Sequence, residues 1–194
     1  MQCDPRSAML ASMNLGHPIV VALLGYLIGS IPVANLLARR AGAPDLREVG
    51  DKNPGFWNAK AHLDRWSSTF VFIGDVLKGA LPVAIALIVG LEWWQSYLVG
   101  LAAIAGHAWP LFARFRGGKG VLTWVGAQSL LSPLPVACAI AALVLAWLAR
   151  RKFTHAVRFA VILFPFVQIV IEGSWRTAMS GVLMTLIGLR FAQR

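Results

Sequence analysis

The chain has 194 residues, 58% of them hydrophobic and only 13% charged, with a formal net charge of +10 and a mean hydropathy of +0.67. One aqueous core cannot hide that much apolar surface, which excludes an ordinary soluble domain and makes lipid the natural solvent. The cations fall in short clusters between apolar runs rather than in one stripe on a polar domain. That pattern fits loops on an anionic leaflet and argues against nucleic acid as a partner.

Residues 1–14 read as a polar N-terminal tail without the basic start and small-residue cleavage site of a signal peptide. Residues 15–194 read as a single integral membrane domain. Its apolar segments are Leu15–Ala38, Ser68–Gly90, Tyr97–Ala113, Val121–Leu131, Leu134–Ala149, Val157–Ile171 and Trp175–Leu189. A helix needs about 20 residues to cross the hydrocarbon. The first two segments suffice, and the fourth is too short unless it borrows from its neighbours. The last three need extended ends or a thinned bilayer. Ser132-Pro133-Leu134-Pro135 is a turn signal that splits one long apolar stretch into two. The reading is an all-α, polytopic membrane helix bundle of about seven spans, with no internal repeat.

Orientation follows from the cations. Those after the first, third, fifth and seventh spans number 15, against Arg6 and Arg176 on the other side, with Lys78 inside a span. The positive-inside rule then puts the N-terminus outside and the C-terminus in the cytoplasm. The connection Leu91-Glu92-Trp93-Trp94 falls outside, its tryptophans at the interface. Cys3 and Cys138 show neither a disulfide framework nor metal-ligand spacing, so no metal or other cofactor is expected.

Two cytoplasmic segments can carry chemistry. In Phe115-Arg116-Gly117-Gly118-Lys119-Gly120, three glycines around a lysine can turn backbone N–H groups into a concavity, and the next helix offers its positive N-terminus. A flexible basic turn at the headgroups is the plainer reading. The spacing is not that of a Walker A loop. The other segment is the loop from Arg39 to Arg65. Ser30 precedes Pro32 at the end of the first span and can either bond a backbone carbonyl or face a polar pocket. Asn53-Pro54-Gly55 is a turn signal whose amide can also bind a ligand. Asp75 and Lys78 share one helix face inside a span, as a structural ion pair or a cavity-lining one. His107 has no acid four residues away, so the HxxxxD pair of many acyltransferases is missing, as are GxSxG and HExxH motifs.

Together, GSIPVANLLARRAGAPDLR, NPG with Asn58, DVLKG and GHAWPLFARFRGGKGV, in that order over about residues 25–126, resemble the PlsY family of bacterial acyl-phosphate:glycerol-3-phosphate acyltransferases. The resemblance implies a seven-span bundle in the bacterial inner membrane with a cytoplasmic active site. It implies glycerol 3-phosphate and acyl phosphate as substrates, membrane lipid as surroundings, and no covalent intermediate. On the family pattern Ser30, Arg47, Asn53 and Lys119 hold the substrate phosphates. Gly117, Gly118 and Gly120 shape the cradle, and Asn58 and His107 support it, with Ser30, Arg47, Lys119 and His107 as the catalytic set and Asn58 among the phosphate ligands.

The sequence departs from that pattern in several places. Asp51 stands for a serine, Phe56-Trp57 for an alanine–threonine pair, and Ala61 and Asp64 for an arginine and a glycine. Phe153 falls in a stretch that carries tyrosine and serines, and the family's closing arginine–histidine–asparagine–glutamate motif is not found. A catalytically impaired relative that binds lipid or a partner, and a small transporter using Asp75 and Lys78, are the other readings. Asp51 would repel phosphate unless Lys52 or Arg47 neutralised it.

Overall fold

The computed structural model describes residues 17–150 and 152–193. The tail over residues 1–14, the start of the first span at Leu15, Arg151 and Arg194 lie outside them. Among the described residues the regular structure is helical throughout: α1 (Pro18–Gly29), α2 (Val33–Arg40), α3 (Phe56–His62), α4 (Arg65–Ile88), α5 (Trp93–Ala108), α6 (Val121–Leu131), α7 (Pro133–Arg150), α8 (Phe153–Glu172) and α9 (Ser174–Ala192), with one 3-10 turn at Leu111–Ala113.

The first span is not one continuous helix. Pro32 has no N–H to give and disfavours helical geometry at Ile31, so α1 stops at Gly29 and α2 restarts at Val33. The third segment likewise ends at Ala108, ahead of Pro110, and its remainder turns into the glycine-rich segment. Asp64 accepts from the N–H groups of Trp66 and Ser67 and so starts α4. Glu92 and Gln95 form a reciprocal cap that starts α5.

Among the described residues, four stretches are long and apolar enough to cross a membrane: Pro18–Arg40, Arg65–Ile88, Trp93–Ala113 and Phe153–Glu172. α6, with 11 residues, reaches only about 16 Å and cannot cross the ~30 Å hydrocarbon alone. The Ser132–Pro133 break separates it from α7, as the turn signal predicts.

Close helix crossings lock the bundle. A Cβ at Gly29 would stand 2.2 Å from the Ala103 carbonyl oxygen, and one at Gly106 would stand 2.1 Å from that of Tyr26, so α1 and α5 touch backbone to backbone. Gly79 and Gly126 do the same for α4 and α6, with Cβ positions 1.8 Å from Thr123 O and 1.9 Å from Val76 O. Small residues at such crossings are how helices gain contact where lipid offers no hydrophobic drive. A buried apolar cluster of Val83, Tyr97, Ile104, Trp124, Leu131, Phe164, Leu183 and Ile187 fills the centre. One polar layer crosses the bundle near the Ser132 break. There Tyr97 Oη and Ser132 Oγ lie 2.9 Å apart, Ser132 donates to Glu172, and Gln168 donates to Tyr97, Ser132 and Glu172.

Candidate functional site

The loop between α2 and α3 is folded by its own polar groups. Asp45 Oδ1 accepts from the Arg47 backbone N–H and from its Nε, each at 2.9 Å, and the Arg47 guanidinium closes a salt bridge on Asp45 Oδ2. Arg47 Nη1 also donates to the Ala113 carbonyl at 3.2 Å, so one side chain ties this loop to the segment that follows α5. The Arg47 hydrogen bond holds the Asp45 carboxyl below its usual 3.8, and Asp45 in turn raises Arg47. An acid with a lowered native pKa stabilises the fold above its ordinary value and loses that contribution as the pH falls through the lowered one. The thermal midpoint should therefore owe nothing to this group's titration between about pH 5 and 7 and should fall below about pH 4. The fall should be smaller in Asp45→Asn, as thermal unfolding in detergent would show.

Asn58 belongs to the same frame. Its Nδ2 donates to the carbonyls of Leu46 at 2.8 Å and Val49 at 2.9 Å. Both amide hydrogens are spent on the chain, so this end of the side chain holds the loop. Asn58 fills the space beside Gly50, whose φ of 60° places it in the left-handed region.

The glycine-rich segment is held from two sides. Gly118 N–H donates to the His107 carbonyl at 3.0 Å, and a Cβ on Gly117 would stand 2.0 Å from that same oxygen. A Cβ on Gly118 would stand 2.2 Å from His107 Nε2, so the imidazole packs directly under the loop. Gly120, at φ 84°, turns the chain into α6. From the far end of the sequence, Arg190 reaches back. Its Nε donates to Gly118 O at 3.3 Å and its Nη2 to Gly117 O at 3.2 Å, and its guanidinium lies over the Trp109 ring at 5.6 Å. Nothing local in the sequence announces Arg190. Its one signal is a cation in the last turn of an apolar helix, which reads equally well as a topology marker.

Beside this segment opens a polar cavity of about 390 Å³, lined by Arg47, Lys52, Arg116 and Arg190 with Asp51, Trp109, Phe115 and Gln193. Four cationic side chains line it with one carboxylate; of these, Arg47 pairs with Asp45, and Arg116 with Glu48 at 2.7 Å. Lys52 and Phe115 line it from left-handed backbone, at φ 56° and 59°, and the neighbouring Arg114 is at 54°. Non-glycine residues held there in both the α2–α3 loop and the segment after α5 mark backbone that the surrounding structure over-determines, as binding sites do.

Lys119 projects from the segment with its Nζ 3.6 Å from Asp51 Oδ2 and 4.6 Å from the Phe191 ring centre. Asp51 Oδ1 also accepts from the Asn53 N–H. The acid therefore has Lys119 as a cationic neighbour from another loop, and it competes with any anion for that ammonium. Asp51→Ser should tighten binding of a phosphate ligand by about two- to fivefold, read as a fall in Kd, since a partly exposed contact of this kind is worth no more than ~1 kcal/mol.

The remaining candidates sit deeper. Ser30 is fully buried and its hydroxyl donates to the Tyr26 carbonyl at 2.8 Å, one turn back in its own helix. Of the two roles open to it, the hydroxyl here takes the one at the helix end before Pro32. Asn53 is buried with Oδ1 lacking a hydrogen-bond partner, an acceptor that suits a hydroxyl donor. Asp75 and Lys78 pair at 2.8 Å, and Asp75 Oδ1 also lies 3.6 Å from His107 Nδ1. The acid absent from the sequence neighbourhood of His107 is thus supplied by another helix. Lys78, His107, Gly117 and Gly118 border a small cavity of about 20 Å³. Asp75 and Lys78 thus form a structural ion pair whose lysine also lines that cavity.

Comparison with known proteins bears directly on this arrangement. The family model described as "Glycerol-3-phosphate acyltransferase" matches residues 19–194. The chain belongs to the glycerol-3-phosphate acyltransferase family. It is 37% identical over 150 residues to "Glycerol-3-phosphate acyltransferase 5" of Dehalococcoides mccartyi, covering 77% of this chain and 64% of that one. It is 39% identical over 152 residues to the glycerol-3-phosphate acyltransferase of Rubrobacter xylanophilus, covering 76% and 74%, and 41% over 143 residues to that of Azotobacter vinelandii, covering 74% of each. The chain thus spans a little under two thirds to about three quarters of these relatives' lengths. Among solved structures, the glycerol 3-phosphate form of PlsY (YgiH), an integral membrane glycerol 3-phosphate acyltransferase, superposes with a TM-score of 0.79 at 31% identity, over 91% of this chain and 88% of that one. Its lysophosphatidic acid form gives 0.77 at 29%.

Several departures from the usual acyltransferase pattern explain one another. Phe56 packs edge-on against Phe72 at 5.2 Å, Trp57 against Phe153 at 5.6 Å, and Trp147 against Phe153 at 6.1 Å. The large residues at 56, 57 and 153 therefore form one aromatic clasp joining α3 and α4 to the α7–α8 corner, and Lys60 Nζ sits 5.6 Å from the Trp57 ring centre. Asp64, where the acyltransferases usually have glycine, caps α4. Nothing in the structure accounts for Ala61.

Proposed function

We propose that this chain transfers a fatty acyl group from acyl phosphate to the 1-hydroxyl of glycerol 3-phosphate at the cytoplasmic face of a bacterial inner membrane, as a seven-span protein with its N-terminus outside. The observation that carries the reading is the cavity lined by Arg47, Lys52, Arg116 and Arg190, set against the segment that bears Lys119. Such an excess of positive charge suits the phosphates of two anionic substrates brought side by side. The family membership and the likeness to the glycerol 3-phosphate form of PlsY support the choice of acceptor.

In this reading the acceptor oxygen attacks the acyl carbonyl carbon, the bond from that carbon to the phosphate oxygen breaks, and the hydroxyl proton leaves with the phosphate product. The acyl phosphate is already an activated anhydride. Holding the two reactants in line and stabilising the charge on the departing phosphate supplies most of the rate. Lys119 and Arg47 contact the phosphates, Asn53 Oδ1 accepts from a glycerol hydroxyl, and His107 keeps Gly118 in place. The 15 cations assigned to one side give the orientation. A transport role finds no support in the intramembrane charges, because Asp75 and Lys78 satisfy each other.

Calorimetric titration of the detergent-solubilised protein tests the reading. Glycerol 3-phosphate should bind, with inorganic phosphate competing and glycerol not binding measurably. Equal binding of glycerol, or no binding by folded protein, would overturn it.

A further inference from the structure

Beside the phosphate cavity lies a second one, of about 350 Å³, between α6, α7, α8 and α9. Its lining is apolar throughout. Its near end is formed by Val121, the residue after Gly120, and by Phe191, whose ring faces the Lys119 ammonium at 4.6 Å. The space therefore begins where the phosphate segment ends.

The buried face of α8 explains both its existence and its extent. The inward residues at successive turns are Ala156, Ala160, Phe164 and Gln168. Ala160 leaves room, a phenylalanine fills it one turn on, and the glutamine belongs to the polar layer with Tyr97 and Ser132. Phe164 is 3% exposed and its ring meets that of Trp124 at 5.0 Å, edge to face. Along α8 the lining runs from Val157 to Phe164, and along α9 from Phe191 to Met184. At 1.5 Å per residue both give a depth of about 10 Å. One leaflet of hydrocarbon is about 15 Å deep, so this space encloses only the first part of a membrane-length tail.

We propose that this cavity takes the acyl chain of the substrate and that Phe164, braced by Trp124, sets how much of the chain is enclosed and hence which chain lengths react best. The inference rests on the acyltransferase reading above. Continuity with the phosphate segment and a lining without polar groups favour an acyl chain that is being transferred over a bystander lipid.

The test measures kcat/KM for a series of saturated acyl phosphates from eight to eighteen carbons, with glycerol 3-phosphate as acceptor, in wild type, Phe164→Ala and Ala160→Phe. Phe164→Ala should raise the ratio of long-chain to short-chain kcat/KM at least fivefold. Ala160→Phe should lower it at least as much by filling the middle of the cavity. The KM for glycerol 3-phosphate should stay within twofold in both. If Phe164→Ala does not fold, Ala160→Phe alone decides the matter. Active variants with the wild-type chain-length profile would overturn the proposal and leave the cavity to bilayer lipid. Wild-type protein without acceptor-dependent turnover would instead overturn the acyltransferase reading on which it stands.

Discussion

Lys119→Ala should lower kcat/KM about 10²–10³-fold, the range typical of removing one charge-stabilising group from a transition state. Its thermal midpoint should change little. The side chain is partly exposed, its contact with Asp51 is 3.6 Å long, and no backbone group depends on it. Loss of the ammonium also frees Asp51 beside the anion site, which adds repulsion to lost attraction. For that reason Lys119→Ala combined with Asp51→Ser should recover part of the loss, on the order of tenfold. Retention of full turnover by Lys119→Ala would remove Lys119 from the site.

Arg190→Ala should be the more damaging change for the fold. Removing its guanidinium leaves the buried carbonyls of Gly117 and Gly118 without this partner, at about 1–3 kcal/mol for each such group. It also removes a cation from the cavity wall and the contact over Trp109. A drop of about 2–5 kcal/mol in stability should therefore accompany a loss of activity. Arg190→Lys separates the two effects. It keeps the charge but cannot fork across two carbonyls, so it should hold glycerol 3-phosphate with a nearly normal Kd while losing kcat and thermal stability. Unfolding midpoints and titrations on the three proteins would show the split. Wild-type stability in Arg190→Ala would contradict the view that α9 pins the glycine-rich segment.

The helices, the break at Ser132 and the glycine–lysine segment were legible because each is written in contiguous residues. Hydropathy runs mark helices in lipid, Pro32 and Pro110 mark interruptions, and Gly117-Gly118-Lys119-Gly120 carries its conformational freedom in its composition. The ordered motifs made the family legible for the same reason. What escaped was set by pairs far apart in the chain. His107 looked isolated until α4 brought Asp75 to 3.6 Å of it. Arg190 read as a cation at a helix end, 72 residues from the carbonyl it holds. The nearness of Lys119 to Asp51 was not legible because the two come from different loops. Phe56, Trp57 and Phe153 looked like separate departures, yet they are one packed cluster, and a contact among substituted positions cannot be seen when each is compared alone. Ser30 and Asn58 show the same limit from another side. Both are polar residues next to a loop, and the sequence does not say that their hydrogen bonds go to the backbone.

The most direct test of the whole account is phosphate release from palmitoyl phosphate by the purified protein in detergent, with and without glycerol 3-phosphate. Release that depends on the acceptor, saturates with it and yields 1-acylglycerol 3-phosphate in equal amount is the expected result. Release that is indifferent to the acceptor, or no release from protein shown to be folded and to bind glycerol 3-phosphate, would contradict it and make this cavity a binding site without turnover.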